Sequence, residues 1–276
     1  MTTLRAPETT GRARRLVEGT AFVGVWIALG YLLPVDANVY LLLGIPLTLV
    51  FQLVVRRRPL RELWLRDASR FRLDRVGVAL AVALAVTPAV VLVQVARAGE
   101  WSSTVWMVAA IVGAVPAAWA LRGTRFLVTL REAVPTILVG AVVLGLVAVV
   151  PLLLIGRPFD PVAMAGHALL WAALYLPVVF VLEEVAFRGA LDAHVQHPGE
   201  RRGIASAVYL SLLWGAWHLP ITPAGPIPGY LEIQALVVSL VLGIPLTYAW
   251  RRTGSLAPAG VAHAVYDGIR NGLTQT

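Results

Sequence analysis

Leu176-Pro-Val-Val-Phe-Val-Leu-Glu183-Glu184-Val-Ala-Phe-Arg188-Gly-Ala-Leu191 closes an apolar run that begins near Val162. Two adjacent carboxylates and a guanidinium sit among apolar neighbours. On insertion scales each such charge costs about 2.5–3.5 kcal/mol at a bilayer centre, so a lipid-embedded segment that keeps three of them has a use for them. Glu184 and Arg188 stand four apart, about one helical turn, and share a face on which they can pair. Glu183 points about 100° away from Glu184 and is left for another partner.

Working outward, the segment is one of nine apolar runs, at about residues 17–33, 39–55, 76–96, 103–121, 135–155, 163–183, 204–220, 231–250 and 256–270. Most are near the length a spanning helix needs, and none alternates as a barrel strand would. Across 276 residues, 58% are hydrophobic and 14% charged, against about a quarter charged in a soluble domain. The chain is therefore predicted to be an all-α integral membrane protein, a polytopic bundle of eight or nine transmembrane helices around a polar intramembrane cavity. The last run is short and holds His263 and Asp267, so it is expected to span only in part. Residues 1–161 read as N-terminal transmembrane helices with a basic loop, and 162–276 as the helices that carry the polar residues.

All 23 basic residues are arginine, for a net charge of +8. Twenty of them fall before the first run, in 56–75, in 122–131, in 188–202 and at Arg251 and Arg252, which are alternate connections. This is a positive-inside pattern and not a nucleic-acid footprint, and it predicts a cytoplasmic N-terminus. The arginine-rich start resembles a signal peptide, but Pro34-Val-Asp-Ala-Asn38 follows where a cleavage site would stand, so a retained first span is expected. Without cysteine there is no disulfide, thiolate nucleophile or Cys metal site. Residues 56–75 read as a topology-setting loop, with a basic helix on the inner leaflet as the alternative. Trp64, Trp101, Trp171 and Trp250 are expected at the membrane interfaces. Gly140, Gly145, Gly166 and Gly243 are expected at close helix contacts.

Beyond Glu18 at the edge of the first run, the first five apolar runs hold no acid or histidine, and the short list of interest falls in the last four: Glu183 and Glu184, His218, and His263 with Asp267. His263 and Asp267, four apart, face one way, and Gly215 would let the His218 helix approach a neighbour closely. Asp192 and Glu232 read as solvated flanks, and His167, His194 and His197 receive no role. A carboxylate and an imidazole around one water suit general-base hydrolysis, and a second histidine with a hydrogen-bonding neighbour suits an oxyanion. No His-Glu-x-x-His and no Gly-x-Ser-Gly occurs, and the Gly-x-Gly-Asp partner of an aspartyl site is missing. One conflict stands out. The arginine pattern puts Glu183 near the inner end of its helix and His218 near the outer end of the next.

Glu-Glu-x-x-x-Arg-Gly at 183–189, aromatic-x-x-x-His at Trp214 to His218 and His-x-x-x-Asp at 263–267 occur in that order. The set resembles the CPBP family, which comprises CAAX prenyl endopeptidases and bacteriocin-processing or bacteriocin-immunity membrane proteins, over about residues 162–272. The resemblance implies an intramembrane glutamic endopeptidase without a metal or other cofactor. It implies that Glu183 and His218 activate water, that His263 and Asp267 support the oxyanion, and that Glu184 and Arg188 organise the site. Trp214 stands where the family usually has Phe. Asp267 stands where Asn is common, and an ionised Asp cannot donate a hydrogen bond.

The expected partners are the lipid bilayer and a peptide or membrane-protein substrate, with or without a lipid modification, and no nucleic acid. A bacterial plasma membrane is the expected location. The rival readings are a non-catalytic immunity or scaffold protein, a proton-coupled transporter, and a zinc-using variant with His218, His263 and Glu183 as ligands.

Overall fold

The computed structural model describes residues 11–150, 160–196, 203–224 and 228–274. Arg5, Arg157, His197, Arg201, Arg202 and the middle of the Pro220–Pro228 turn lie outside the described residues. In order, the helices are α1 (Arg12–Leu32), α2 (Ala37–Val55), α3 (Arg75–Arg97), α4 (Trp101–Arg122) and α5 (Phe126–Val147). They continue with α6 (Pro161–Val179), α7 (Val185–Asp192), α8 (Ile204–Trp217), α9 (Tyr230–Thr253) and α10 (Ala257–Thr274). Eight of these, all but α7 and α10, are long and apolar enough to cross a membrane, α8 being counted through Ile221. Among the described residues the only extended pairing is a single bridge between Leu65 and Ser255.

The peripheral helices turn apolar side chains outward, as in α3, where Val78, Val82, Val86, Val90 and Val93 are exposed. In water such a stripe would be a liability, but against lipid it costs nothing. Polar residues are correspondingly buried. Asp192, expected to be solvated, is 1% exposed and accepts from Arg251 Nε at 3.0 Å and Nη2 at 2.6 Å. Arg251 also donates to Gly203 O and Ser206 Oγ. This bidentate pair clamps the end of α7 to α8 and α9. Glu232 is half-buried.

α10 packs along α6 through Gly268 and Gly272. A Cβ on Gly268 would meet Ala168 O and Ala172, and one on Gly272 would meet Met164 O and Ala168. This Gly-x-x-x-Gly lets two backbones close on each other, and the sequence reading overlooked it. Of the glycines it did single out, Gly140 faces Tyr266 and Gly243 faces Ser211, while Gly145 and Gly166 have open space around them. Gly215 meets the backbone of Leu236 on α9, the expected close approach.

Two features depart from the expectation of one helix ending at Glu183. Pro177 removes a helical N–H, and the α-helix stops at Val179, with a turn over Phe180–Leu182. The chain then resumes as the wide π-type turns of α7, a geometry common at functional sites. Glu183 therefore lies mid-way along a broken helix. At about 1.5 Å of rise per residue, Glu183 and His218 each stand roughly 20 Å from the Gln196–Gly203 connection. That common depth removes the conflict between their predicted helix ends.

Residues 56–66 form neither a leaflet helix nor a free loop. A short 3-10 turn, Leu60–Leu63, buries Leu63 against the backbone at Gly189. Trp64 Nε1 donates to Phe180 O at 2.6 Å, closing the helix break. Leu256 N donates to Trp64 O at 2.9 Å and Arg66 N to Gly254 O at 2.7 Å, which fixes the start of α10. Arg56 donates to Gly189 O at 3.0 Å and Ala193 O at 3.3 Å, taking up carbonyls of the α7 segment. Trp64 and Trp250 are thus built into the bundle, and Trp250 is fully buried; Trp101, also expected at an interface, is 74% exposed.

Candidate active site

Glu183 and Glu184 follow the break between α6 and α7, His218 terminates α8, and His263 and Asp267 lie one turn apart on α10. The structure brings all of them, with Arg188, into one cluster. Trp214 Nε1 donates to Glu183 Oε2 at 2.9 Å. The same oxygen is 3.9 Å from His218 Nε2 and 3.8 Å from His263 Nε2. Both gaps exceed a direct hydrogen bond and are of the size one bridging water closes.

His218 Nδ1 lies 2.9 Å from Trp214 O. A carbonyl only accepts, so Nδ1 carries the proton, and in the neutral ring Nε2 turns a lone pair toward Glu183. Tyr40 fixes this helix end by donating from its hydroxyl to Trp217 O at 2.7 Å. The Tyr40 ring stacks on Trp217, which Trp26 meets edge-on, and Trp26 in turn stacks on Phe187.

His263 is arranged differently. Its Nδ1 is 2.8 Å from Glu184 Oε1, and its Nε2 is 3.3 Å from Asp267 Oδ2. Two carboxylates at opposite ends of the ring ask both nitrogens to donate. Glu184 Oε1 also receives Arg188 Nη1 at 3.0 Å, so the i,i+4 pair expected from spacing forms. Glu184 Oε2 has no hydrogen-bond partner among the described residues. The Arg188 guanidinium also lies over the Trp214 ring, 4.5 Å from its centroid. Trp214 therefore packs against Arg188 and adds an N–H to Glu183.

Asp267, expected to support the oxyanion together with His263, has both carboxylate oxygens turned to cationic partners. Oδ2 faces His263, and Oδ1 sits 3.1 Å from Arg270 Nη1, within ion-pair range though not aligned as a hydrogen bond. Two cationic partners keep it ionised, and an ionised carboxylate only accepts, so Asp267 can act on an oxyanion only through His263. Arg270, at the end of the last apolar run, is a site residue that sequence reasoning missed. Its i,i+3 spacing from Asp267 was the available signal, as was the i,i+4 signal for Glu184 and Arg188. Trp64 and Tyr40 gave no comparable signal.

Burial is graded across the cluster. The side chains of Glu184, Arg188, His263 and Asp267 are at most 3% exposed, while Glu183 is 12% and His218 23% exposed. The open side is therefore the Glu183–His218 side. Three carboxylates (Glu183, Glu184, Asp267) face two guanidinium groups and His263, a balance that lets the set exist at this depth. One oxygen or nitrogen each from Glu183, His263 and Asp267 lie within 4.8 Å of one another, close enough to share a cation. His218, one of the three ligands expected of a zinc variant, is not in that group.

No curated protein and no solved structure matches the chain. A family does: residues 165–269 match the Rce1-like type II CAAX prenyl endopeptidases. That stretch contains every residue of the cluster except Arg270.

Proposed function

We propose, from the premise that residues 165–269 form a region of the Rce1-like type II CAAX prenyl endopeptidase family, that this integral membrane protein hydrolyses peptide bonds with a water activated by Glu183 and His218. The observation that carries the reading is the 3.9 Å gap between Glu183 Oε2 and His218 Nε2, two acceptors on one side of the cluster. A water between them gives one proton to each and turns its oxygen lone pair outward, toward a carbonyl.

Attack forms the new C–O bond and passes a proton to Glu183, assisted by His218. The oxyanion forms next to His263, whose Nε2–H, 3.3 Å from Asp267 Oδ2, is shared between that carboxylate and the oxyanion. Asp267 orients that ring and balances its charge, with Arg270 holding Asp267. Glu184 and Arg188 fix the other ring nitrogen. On collapse the C–N bond breaks, and the proton held by Glu183 goes to the leaving amine. One water is consumed, yielding one carboxylate and one amine.

The graded burial supports approach of the scissile bond from the Glu183–His218 side. The substrate class is a peptide or membrane-protein segment that can enter lipid depth, with or without a lipid modification. The arginine-rich connections face the cytoplasm in this reading, and the membrane is a bacterial plasma membrane.

The test is cleavage of a peptide library, including lipid-bearing peptides, by the purified full chain and by Glu183→Gln. Cleavage by wild type and a loss of about 10²–10⁴-fold in the variant are expected. Undiminished cleavage by Glu183→Gln would sink the mechanism. An absence of cleavage in both, with the cellular phenotype retained in the variant, would favour a binding role.

A further inference from the structure

At the arginine-rich face, away from the cluster, a crevice of about 680 Å³ opens between the 65–68 segment, the connection into α5 and the end of α9. Arg66, Arg125, Arg131 and Arg252 line it, and Glu132 is the one carboxylate among the lining residues. Glu132 is 8% exposed and engaged on both oxygens, by Arg131 Nη2 at 3.0 Å and Arg252 Nε at 2.5 Å. Four guanidinium groups against one carboxylate leave a strongly positive hollow. Its walls are tied together: Thr124 Oγ1 donates to Ser255 Oγ at 2.6 Å, and Arg66 N to Gly254 O.

Two further observations point to the occupant. α5 starts in this crevice with no side chain capping its first N–H groups, so unsatisfied donors and the positive end of the helix dipole add to the arginines. Leading away from it, Leu127, Leu130, Val134 and Leu138 form an exposed apolar stripe on α5, at the spacing of one helix face. A positive hollow above a greasy stripe matches a molecule with an anionic head and apolar tails.

We propose that the crevice binds the phosphate headgroup of an anionic glycerophospholipid whose acyl chains lie along α5. The shared chemistry is a phosphate oxyanion held by guanidinium groups and helix N–H donors. The stripe makes the source a lipid and not free phosphate. The site owes nothing to proteolysis and stands or falls separately from it.

Native mass spectrometry tests it on the full chain, released from nanodiscs of phosphatidylcholine with or without phosphatidylglycerol. Wild type should retain phosphatidylglycerol in preference to phosphatidylcholine. Arg125→Gln/Arg131→Gln should weaken that retention by roughly tenfold or more, while Arg70→Gln/Arg72→Gln, an exposed pair on the same face outside the crevice, should not. Should the double variant fail to fold, Arg125→Gln alone, an exposed side chain, should show a smaller loss in the same direction. Equal loss in the crevice and control variants would overturn the proposal in favour of diffuse surface charge. Equal retention of both lipids would overturn it outright. Inorganic phosphate that displaces phosphatidylglycerol at millimolar concentration, and stabilises the lipid-free protein equally well, would replace the lipid with a soluble anion.

Discussion

Among the described residues Glu183 is held by one hydrogen bond, from Trp214, and is otherwise open to a water, whereas its neighbour Glu184 is fully enclosed by Arg188 and His263. Two chemically identical side chains one residue apart thus have separate fates. Glu183→Gln should cut cleavage by about 10²–10⁴-fold with its thermal midpoint within a few degrees of wild type, since its partner Trp214 can still donate to the amide oxygen. Arg188→Met should instead unfold the protein more readily by about 3–5 kcal/mol, because buried Glu184 would lose its guanidinium and keep only His263; denaturant or thermal titration in detergent reads this, and an unchanged midpoint would contradict the pairing. Asp267 offers a sharper discrimination. If it works by accepting from His263, Asp267→Asn keeps an acceptor oxygen and should stay within roughly tenfold of wild-type kcat. Asp267→Ala, which frees the ring, should lose about 10² or more. Equal, small effects from both would remove Asp267 from the site's machinery. Glu184, Arg188 and Asp267 were legible from i,i+4 spacing because that spacing is a fixed property of a helix.

At the scale of the element, the break between α6 and α7 and the seam between α6 and α10 set the site. The break is capped by Trp64 from a distant loop, and nothing in residues 56–75 predicts that a tryptophan there reaches Phe180. Trp64→Phe removes the hydrogen bond and should cost about 1 kcal/mol of stability, with a fall in kcat, read by melting and turnover, that exceeds any change in KM. Equal turnover would show the cap to be irrelevant to Glu183. At the seam, Gly268→Val would drive a side chain into Ala168 O and Ala172. A loss of at least 1–3 kcal/mol is expected from overpacking, and a fully stable variant would deny the close approach. The broken helix itself was hidden because Pro177 and the Val178–Leu182 run read equally well as one continuous span.

For the whole molecule, the decisive comparison is between a carboxylate–histidine mechanism and a cation held by Glu183, His263 and Asp267. Arg270 beside Asp267, together with the pair of donors His263 presents to its carboxylates, leaves little electrostatic demand for an added cation. Protein treated with a strong chelator, and shown by elemental analysis to be metal-free, should therefore keep its cleavage activity. Loss that zinc restores would reassign the chemistry. The family match spans residues 165–269, yet Tyr40, Arg56 and Trp64, all outside that span, hold its helices in place. A fragment beginning near residue 160 is accordingly expected to lack activity even if it inserts, which co-expression with residues 1–159 would test by restoring it.

Composition and the period of the apolar runs determined the membrane bundle, because the length and backbone demands of a spanning helix leave few alternatives. Local spacing likewise determined which polar residues share a helix face, since helical geometry links i to i+3 and i+4. Only the tertiary structure decided that Glu183 and His218 stand at one depth, that Asp267 is spent on Arg270 and His263, and that the basic loop is a clamp. Each of these depends on a helix break or a contact between residues far apart in the chain, and such meetings are fixed by packing in three dimensions and not by any sequence period.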